Sequence, residues 1–223
     1  MQKTSEIWIE KYRQVGALWI HNGNPKQPHV CFTSGLHSGK FFNTDRIIEN
    51  PLLLDEACSE LINLLEQSTN LARVNRVVGP AMGAITIAYN MALNINKSRG
   101  DTELPCLFAY TEKEISPTGK EKMIFKRFSI RQGERVLVVE DVLTTGKSVK
   151  LTCRAIEQAG SVVEGVIGVF VNRSDLTDLD GRTIVPLIKH TAPQWKPKEC
   201  PLCARGSKAL RPKEIKNWSA LVK

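Results

Sequence analysis

The sequence predicts an α/β protein with a mostly parallel central sheet flanked by helices. Three observations carry that expectation. Short apolar runs, Arg76-Val77-Val78, Val136 to Val139 and Val162 to Val171, read as strands with helix-like segments among them, and strands alternating with helices pair in parallel through right-handed crossovers. The 223 residues suit one domain with embellishments. Turn-forming stretches follow two of the strands, at residues 79–83 and 140–148, and ligands of parallel sheets bind beyond the carboxyl ends of the strands.

The elements follow in order. Ser5 to Ile20 reads as an amphipathic helix with Ile9, Tyr12, Val15 and Trp19 on one face, broken by Asn22-Gly23-Asn24-Pro25. Val30-Cys31-Phe32 and Phe41-Phe42-Asn43 read as strands around a polar turn, Thr33 to Lys40. Asn50 caps a helix with Pro51 in its first position; it runs to about Gln67 and buries Leu54, Ala57, Leu61 and Leu65. Ala84 to Asn96 is helical and Cys106 to Ala109 a strand. Lys113 to Arg127, polar with Gly and Pro, reads as an extended hairpin or mobile flap. Lys147 to Gln158 is a helix with Gly160 just past its end. Ile184 to Lys189 is a late strand, and beyond Pro193 a Pro- and Lys-rich tail is expected to wrap the surface.

The most informative stretch is Arg135 to Lys150. Its apolar strand ends in two adjacent acids, Glu140 and Asp141, followed by Val142, Leu143, Thr144, Thr145, Gly146, Lys147 and Ser148. Adjacent carboxylates can hold two vicinal hydroxyls. A small, hydroxyl-rich loop opening a helix can wrap a phosphate with backbone N–H groups and the helix dipole. One strand–loop–helix unit can thus grip a ribose and its 5′-phosphate. Gly146-Lys147-Ser148 resembles the end of a Walker A loop, but that motif needs Gly where Asp141 stands. The fingerprint G-x-G-x-x-G is absent from the chain.

Composition excludes other classes. Hydrophobic residues make up 42% and charged residues 24%, ordinary for a soluble globule. No apolar run is long enough for a transmembrane helix, and Met1 to Glu6 lacks the pattern of a signal peptide, so a cytoplasmic protein is expected. The net charge of +8 gathers around residues 113–127 and the C-terminal tail. A polyphosphate substrate accounts for it as well as nucleic acid does, and no long basic run marks a nucleic-acid partner.

The segment 135–150 closely resembles the signature loop of type I phosphoribosyltransferases. Phe32 to Phe42, Gly79 to Gly83 and Val171-Asn172-Arg173 occur in the order expected of the orotate phosphoribosyltransferases, and Cys200-Pro201-Leu202-Cys203 resembles the tail of one branch of that family. The resemblance covers about residues 30 to 205. It implies a type I phosphoribosyltransferase fold: a single domain over 1–223, with an N-terminal helix and small hood over 1–45, a core over 70–190, a flexible flap, and a tail over 191–223. It implies transfer of a phosphoribosyl group from phosphoribosyl diphosphate to orotate with Mg²⁺, in a homodimer. Glu140 and Asp141 would then take the ribose hydroxyls and Thr144 to Ser148 the 5′-phosphate, with Val142 and Leu143 also among the substrate-binding residues. The 79–83 turn, with Met82 and Gly83, would lie against diphosphate. Phe41 and Phe42 would flank the base, and Arg173 would hold its carboxylate as a planar bidentate match. The plainer readings are a simple turn, a buried strand pair and a solvated Arg.

The chain departs from the family at two places. Tyr110-Thr111-Glu112-Lys113 stands where a basic pair is usual, and Thr33 replaces a Lys. Lys113, Lys120, Lys122, Lys126 and Arg127 come later; mutual repulsion is expected to keep them mobile until diphosphate binds, with Lys113 the substrate contact. Rival readings are a phosphoribosyltransferase for purines or another base, and a non-catalytic regulator that binds phosphoribosyl diphosphate. The six cysteines read as small buried hydrophobes or reduced thiols. Cys200-x-x-Cys203 has half the spacing of a zinc site, with His190 the nearby candidate for a further ligand, and the sequence alone assigns it no metal. His37 reads as a base-side contact; His21 and His29 read as surface or packing residues.

Overall fold

The computed structural model describes residues 2–99, 104–212, 218 and 221. In chain order it contains α1 (Gln2–Gln14), β1 (Leu18–Ile20), β2 (His29–Cys31), β3 (His37–Ser38), β4 (Lys40–Phe42), α2 (Asp45–Ile48), α3 (Pro51–Glu66), β5 (Arg76–Pro80), α4 (Ile85–Arg99), β6 (Leu107–Ile115), β7 (Glu121–Ile124), β8 (Arg135–Leu143), α5 (Lys147–Gln158), β9 (Val162–Asn172), β10 (Asp178–Leu179), β11 (Arg182–Lys189), α6 (Pro201–Ala204) and β12 (Ala209–Leu210). The central sheet runs β10-β11-β9-β8-β5-β6-β7. Its five middle strands are parallel and both edges are closed by antiparallel partners.

Both faces of this sheet are covered, which explains the unbroken apolar runs. Val77, Leu137, Val139 and Phe170 pack with α1, α3 and α4. Val78, Val136, Val138 and Ile167 pack with α5 on the other face. Alternate residues of one strand therefore serve two cores. Asn50 caps α3 by accepting from the Leu52 and Leu53 N–H groups at 3.1 and 3.3 Å, and the expected residues Leu54, Ala57, Leu61 and Leu65 are buried.

The ends of the chain differ from expectation. The first helix stops at Gln14 because Gly16 takes a left-handed conformation, φ 65°, which glycine adopts without steric cost at a helix end. Trp8 and Tyr12 are its buried residues; Ile9 is only half-buried and Val15 is exposed. Trp19 lies instead on β1, which pairs with β4. The tail after Pro193 does not merely wrap the surface. It returns to add β12 beside β2, which pairs with β3, and Trp218 packs against Phe41 at 5.7 Å between ring centroids. N- and C-terminal segments thus build one hood.

At the amino end of β5, Arg76 forms a bidentate pair with Glu134, Nε to Oε2 at 2.6 Å and Nη2 to Oε1 at 3.0 Å. Both side chains are buried. Burial pushes the Glu134 carboxyl up, but the Arg76 hydrogen bonds and charge outweigh it and hold it below the usual range. Its contribution is therefore present above the unfolded carboxylate range and lost as pH falls through the lower folded value. Glu134→Ala should cost about 3–5 kcal/mol in urea unfolding, because Arg76 is left buried and unpaired. The double change Arg76→Met with Glu134→Leu should recover most of that loss.

Candidate active site

Strand β6 lies on one side of β5 and β8 on the other, so the connections diverge at the β5/β8 boundary. Such a switch point opens a crevice at the carboxyl ends of the strands. A cavity of about 350 Å³ lies there. The chain brings Phe41, Phe42, Met82, Gly83, Glu140, Asp141, Val142, Thr144, Ser148 and Arg173 to its wall.

The two loops of the crevice meet at Gly83 and Asp141. A Cβ on Gly83 would lie 2.2 Å from Asp141 Oδ2, so no other residue fits without displacing the carboxylate. Asp141 also accepts from the Val142 N–H at 2.7 Å, and Glu140 accepts from the Asp141 N–H at 3.1 Å. The two carboxyl groups are thereby held against the end of their own strand. Met82 is 81% exposed on the wall of the cavity.

Thr144, Thr145, Gly146, Lys147 and Ser148 wrap a smaller hollow beside the main cavity, at the start of α5. Gly146 has φ 71°, and a Cβ there would lie 2.6 Å from Leu179 Cδ1. Val142 and Leu143 belong to β8 rather than to the loop, pairing with Val171 and Asn172. Leu143 is buried in the apolar cluster under α5, although its backbone still edges the hollow.

Arg173 is not a solvated end-of-strand residue. It is 4% exposed and its guanidinium stacks 4.2 Å from the Phe32 ring centroid. Its Nε and Nη2 are buried without hydrogen-bond partners. These atoms form the edge that Arg76 uses to clamp Glu134. Burial pulls the guanidinium down to about 10, so it is still charged at pH 7. A buried cation with two convergent free donors fits an anionic planar group. Phe41 and Phe42 are a buried strand pair and also line the cavity. Phe42 faces Tyr12 in the main core, and Phe41 faces the hood.

Some expected residues lie elsewhere. Lys113 is outside the cavity lining, its Nζ 3.5 Å from Glu121; Lys147 reaches the same carboxylate. The hairpin's basic residues do not simply repel one another. Glu114 pairs with Lys122 at 2.6 Å and Glu112 with Arg127 at 3.6 Å, so interleaved acids neutralise part of the charge. His37 turns from the cavity into a cluster with His29 and the tail cysteines. Burial, with His37 and His21 nearby, pulls His29 down to about 4. His190 joins neither group; its Nε2 lies 3.1 Å from Lys40 Nζ. The sequence reading missed Phe32 as the Arg173 partner, and Asn43, Thr44 and Asp45 as cavity residues. The polar triplet directly after Phe41-Phe42 was the available signal for the latter.

Residues 44–194 match the family model described as "Phosphoribosyl transferase domain". An orotate phosphoribosyltransferase of Desulforamulus reducens is 36% identical over 196 residues, 87% of this chain and 93% of the relative. One from Pelotomaculum thermopropionicum is 34% identical over 89% and 95%. The crystal structure of orotate phosphoribosyltransferase from Aeropyrum pernix superposes with a TM-score of 0.60 at 22% identity, covering 80% of this chain and 91% of that one; at that identity the likeness concerns the fold.

Gly83→Ala tests the contact between the two loops. Overpacking of this kind costs about 1–3 kcal/mol, and a crystal structure of the variant should show the Asp141 carboxylate or the 81–83 turn displaced. An unchanged Asp141 with unchanged stability would refute the constraint.

Proposed function

This chain belongs to the orotate phosphoribosyltransferases, and from that membership and the cavity we propose how it works. The reaction transfers the phosphoribosyl group of phosphoribosyl diphosphate to orotate, giving orotidine 5′-phosphate and diphosphate. The observation that carries the assignment of the base is the free Nε/Nη2 edge of buried Arg173. Orotate brings a carboxylate to it. A purine brings none and would leave the cation buried and unpaired, which disfavours that rival.

The roles then follow from position. Asp141 and Glu140 hold the ribose hydroxyls. Thr144, Thr145, Gly146, Lys147 and Ser148 receive the 5′-phosphate on backbone N–H groups and hydroxyls. The 81–83 turn, with Met82 and Gly83, lies along the diphosphate, where the missing Cβ permits close approach. Phe32 and Phe41 enclose the base and Phe42 backs it. Cleavage of the C1–O bond develops positive charge on the ribose and negative charge on diphosphate. Fixed carboxylates beside the ribose stabilise the former without a covalent nucleophile. Two adjacent carboxylates on the cavity wall suit a Mg²⁺ ion held mostly by substrate oxygens and water. When bound, that ion neutralises charge on the diphosphate. Lys113, lying outside its own cavity, is proposed to reach the diphosphate by movement of the hairpin or across a homodimer interface. Among the described residues no helix is long and apolar enough to cross a membrane, and free cysteines at all six positions accord with a cytoplasmic setting.

Product formation from a panel of bases, with phosphoribosyl diphosphate and Mg²⁺, tests the assignment. Orotate should be the preferred acceptor. Arg173→Ala should raise KM for orotate by an amount equivalent to about 2–5 kcal/mol and leave the affinity for phosphoribosyl diphosphate nearly unchanged. Equal weakening of both would remove Arg173 from the base site.

Asp141→Asn removes a charge that favours the cationic transition state. A loss of kcat/KM on the order of 10²-fold or more, about 3 kcal/mol, is expected. Near-native turnover would rule the role out.

A further inference from the structure

The hood holds a cluster that the phosphoribosyl reaction does not use. His29 on β2, His37 on β3, and Cys200 and Cys203 flanking the start of α6 turn their donor atoms toward one point. His29 Nε2 lies 3.0 Å from His37 Nδ1, 3.6 Å from Cys200 Sγ and 3.4 Å from Cys203 Sγ. Cys203 Sγ lies 3.3 Å from His37 Nδ1. All four donors fall within 4.8 Å of one another. Four ligands set tetrahedrally at ordinary Zn–N and Zn–S bond lengths are separated by about 3.3–3.8 Å. Four of the six spacings, 3.0–3.6 Å, therefore lie near the edges of a zinc coordination shell, slightly contracted at the two histidines, and the other two are no more than 4.8 Å.

We propose that His29, His37, Cys200 and Cys203 bind a structural zinc ion. The surroundings support it independently of the spacings. His29 Nδ1 lies 2.8 Å from Ser207 Oγ, and that hydroxyl donates to the Gln27 carbonyl at 2.7 Å. The serine must then accept the Nδ1–H of His29, which leaves the Nε2 lone pair facing the cluster. Outer partners of this kind orient metal-bound histidines. Cys200, His29 and His37 are buried, and two soft sulfurs with two imidazoles form a donor set that zinc prefers over magnesium or calcium. All four positions of a tetrahedron are filled by protein, so the site has no open position for catalysis and is structural.

The ion would join segments more than 160 residues apart in sequence. Its ligands on β2 and β3 precede Phe32 and Phe41 by a few residues, and these rings form the hood side of the cavity. Zinc would therefore staple the tail to the strand pair that shapes this wall. The proposal stands on the cluster alone, whatever the transferred base.

Metal analysis of the full chain, purified without chelator or dialysed against zinc, tests it. One zinc per chain is expected. Cys203→Ser and His37→Gln should each abolish tight binding, while Cys31→Ser, outside the cluster, should retain it. Cobalt substitution of the wild-type chain provides a test that needs no variant. Tetrahedral d–d bands with a thiolate-to-cobalt charge-transfer band support the site, and an octahedral spectrum without that band overturns it. Hydrogen exchange should quicken at residues 28–38 and 207–210 on zinc removal and stay unchanged at 76–80 and 135–143. A wild-type chain that takes up no zinc, or forms a Cys200–Cys203 disulfide in a zinc buffer, overturns the proposal. So does zinc that stays with both variants.

Discussion

The active-site crevice depends on one close approach, the backbone at Gly83 against the carboxylate of Asp141. Parallel pairing of β5 with β8 sends two loops out of the sheet side by side. Only a residue without a Cβ allows the first loop to lie on the acid that ends the second. The Glu140 and Asp141 carboxylates and the small-residue turn are thereby parts of one surface. Both faces of the sheet beneath are covered, so the two loops spring from packed strands.

Around this junction the site divides into a polar and an apolar half. The proposed phosphate side is made of backbone, hydroxyls and a helix start, which suits an oxyanion group held by many weak donors. The proposed base side is made of rings and one buried guanidinium. A cation at Arg173 without a protein partner is costly, and the fold keeps it by stacking it on Phe32. A carboxylate ligand would relieve that cost, which is the basis of the proposed role of Arg173 toward orotate.

The hood is the least local part of the molecule. β1 and β4 pair within the first 42 residues, but β2 is flanked by β12 from the far end of the chain. Trp19 donates its indole N–H to the Leu221 carbonyl at 2.6 Å, and Phe41 meets Trp218. The base wall therefore depends on contacts that close loops of nearly the whole chain length, and such contacts cost loop-closure entropy. A staple between His29, His37 and the tail cysteines would offset that cost where it is greatest.

The parallel core and the Glu140–Ser148 strand–loop–helix unit are legible along the chain. Val136 to Val139, buried on both faces, reads as a continuous apolar strand, and Lys147–Gln158 with Gly160 behind it carries its helix signals locally. Glu140, Asp141 and the Thr144 to Ser148 loop are adjacent in sequence, so their grouping needs no tertiary information. The remainder depends on long-range pairing. Trp19 looked helical by period until Gly16 ended the helix and β4 claimed the next strand. Arg173 was legible as a charge at a strand end, but its burial and its stacking on Phe32, well over a hundred residues away, were not. His29 and His37 looked scattered, and Cys200-x-x-Cys203 looked like half a site, because spacing along the chain says nothing about which strand a returning tail will join.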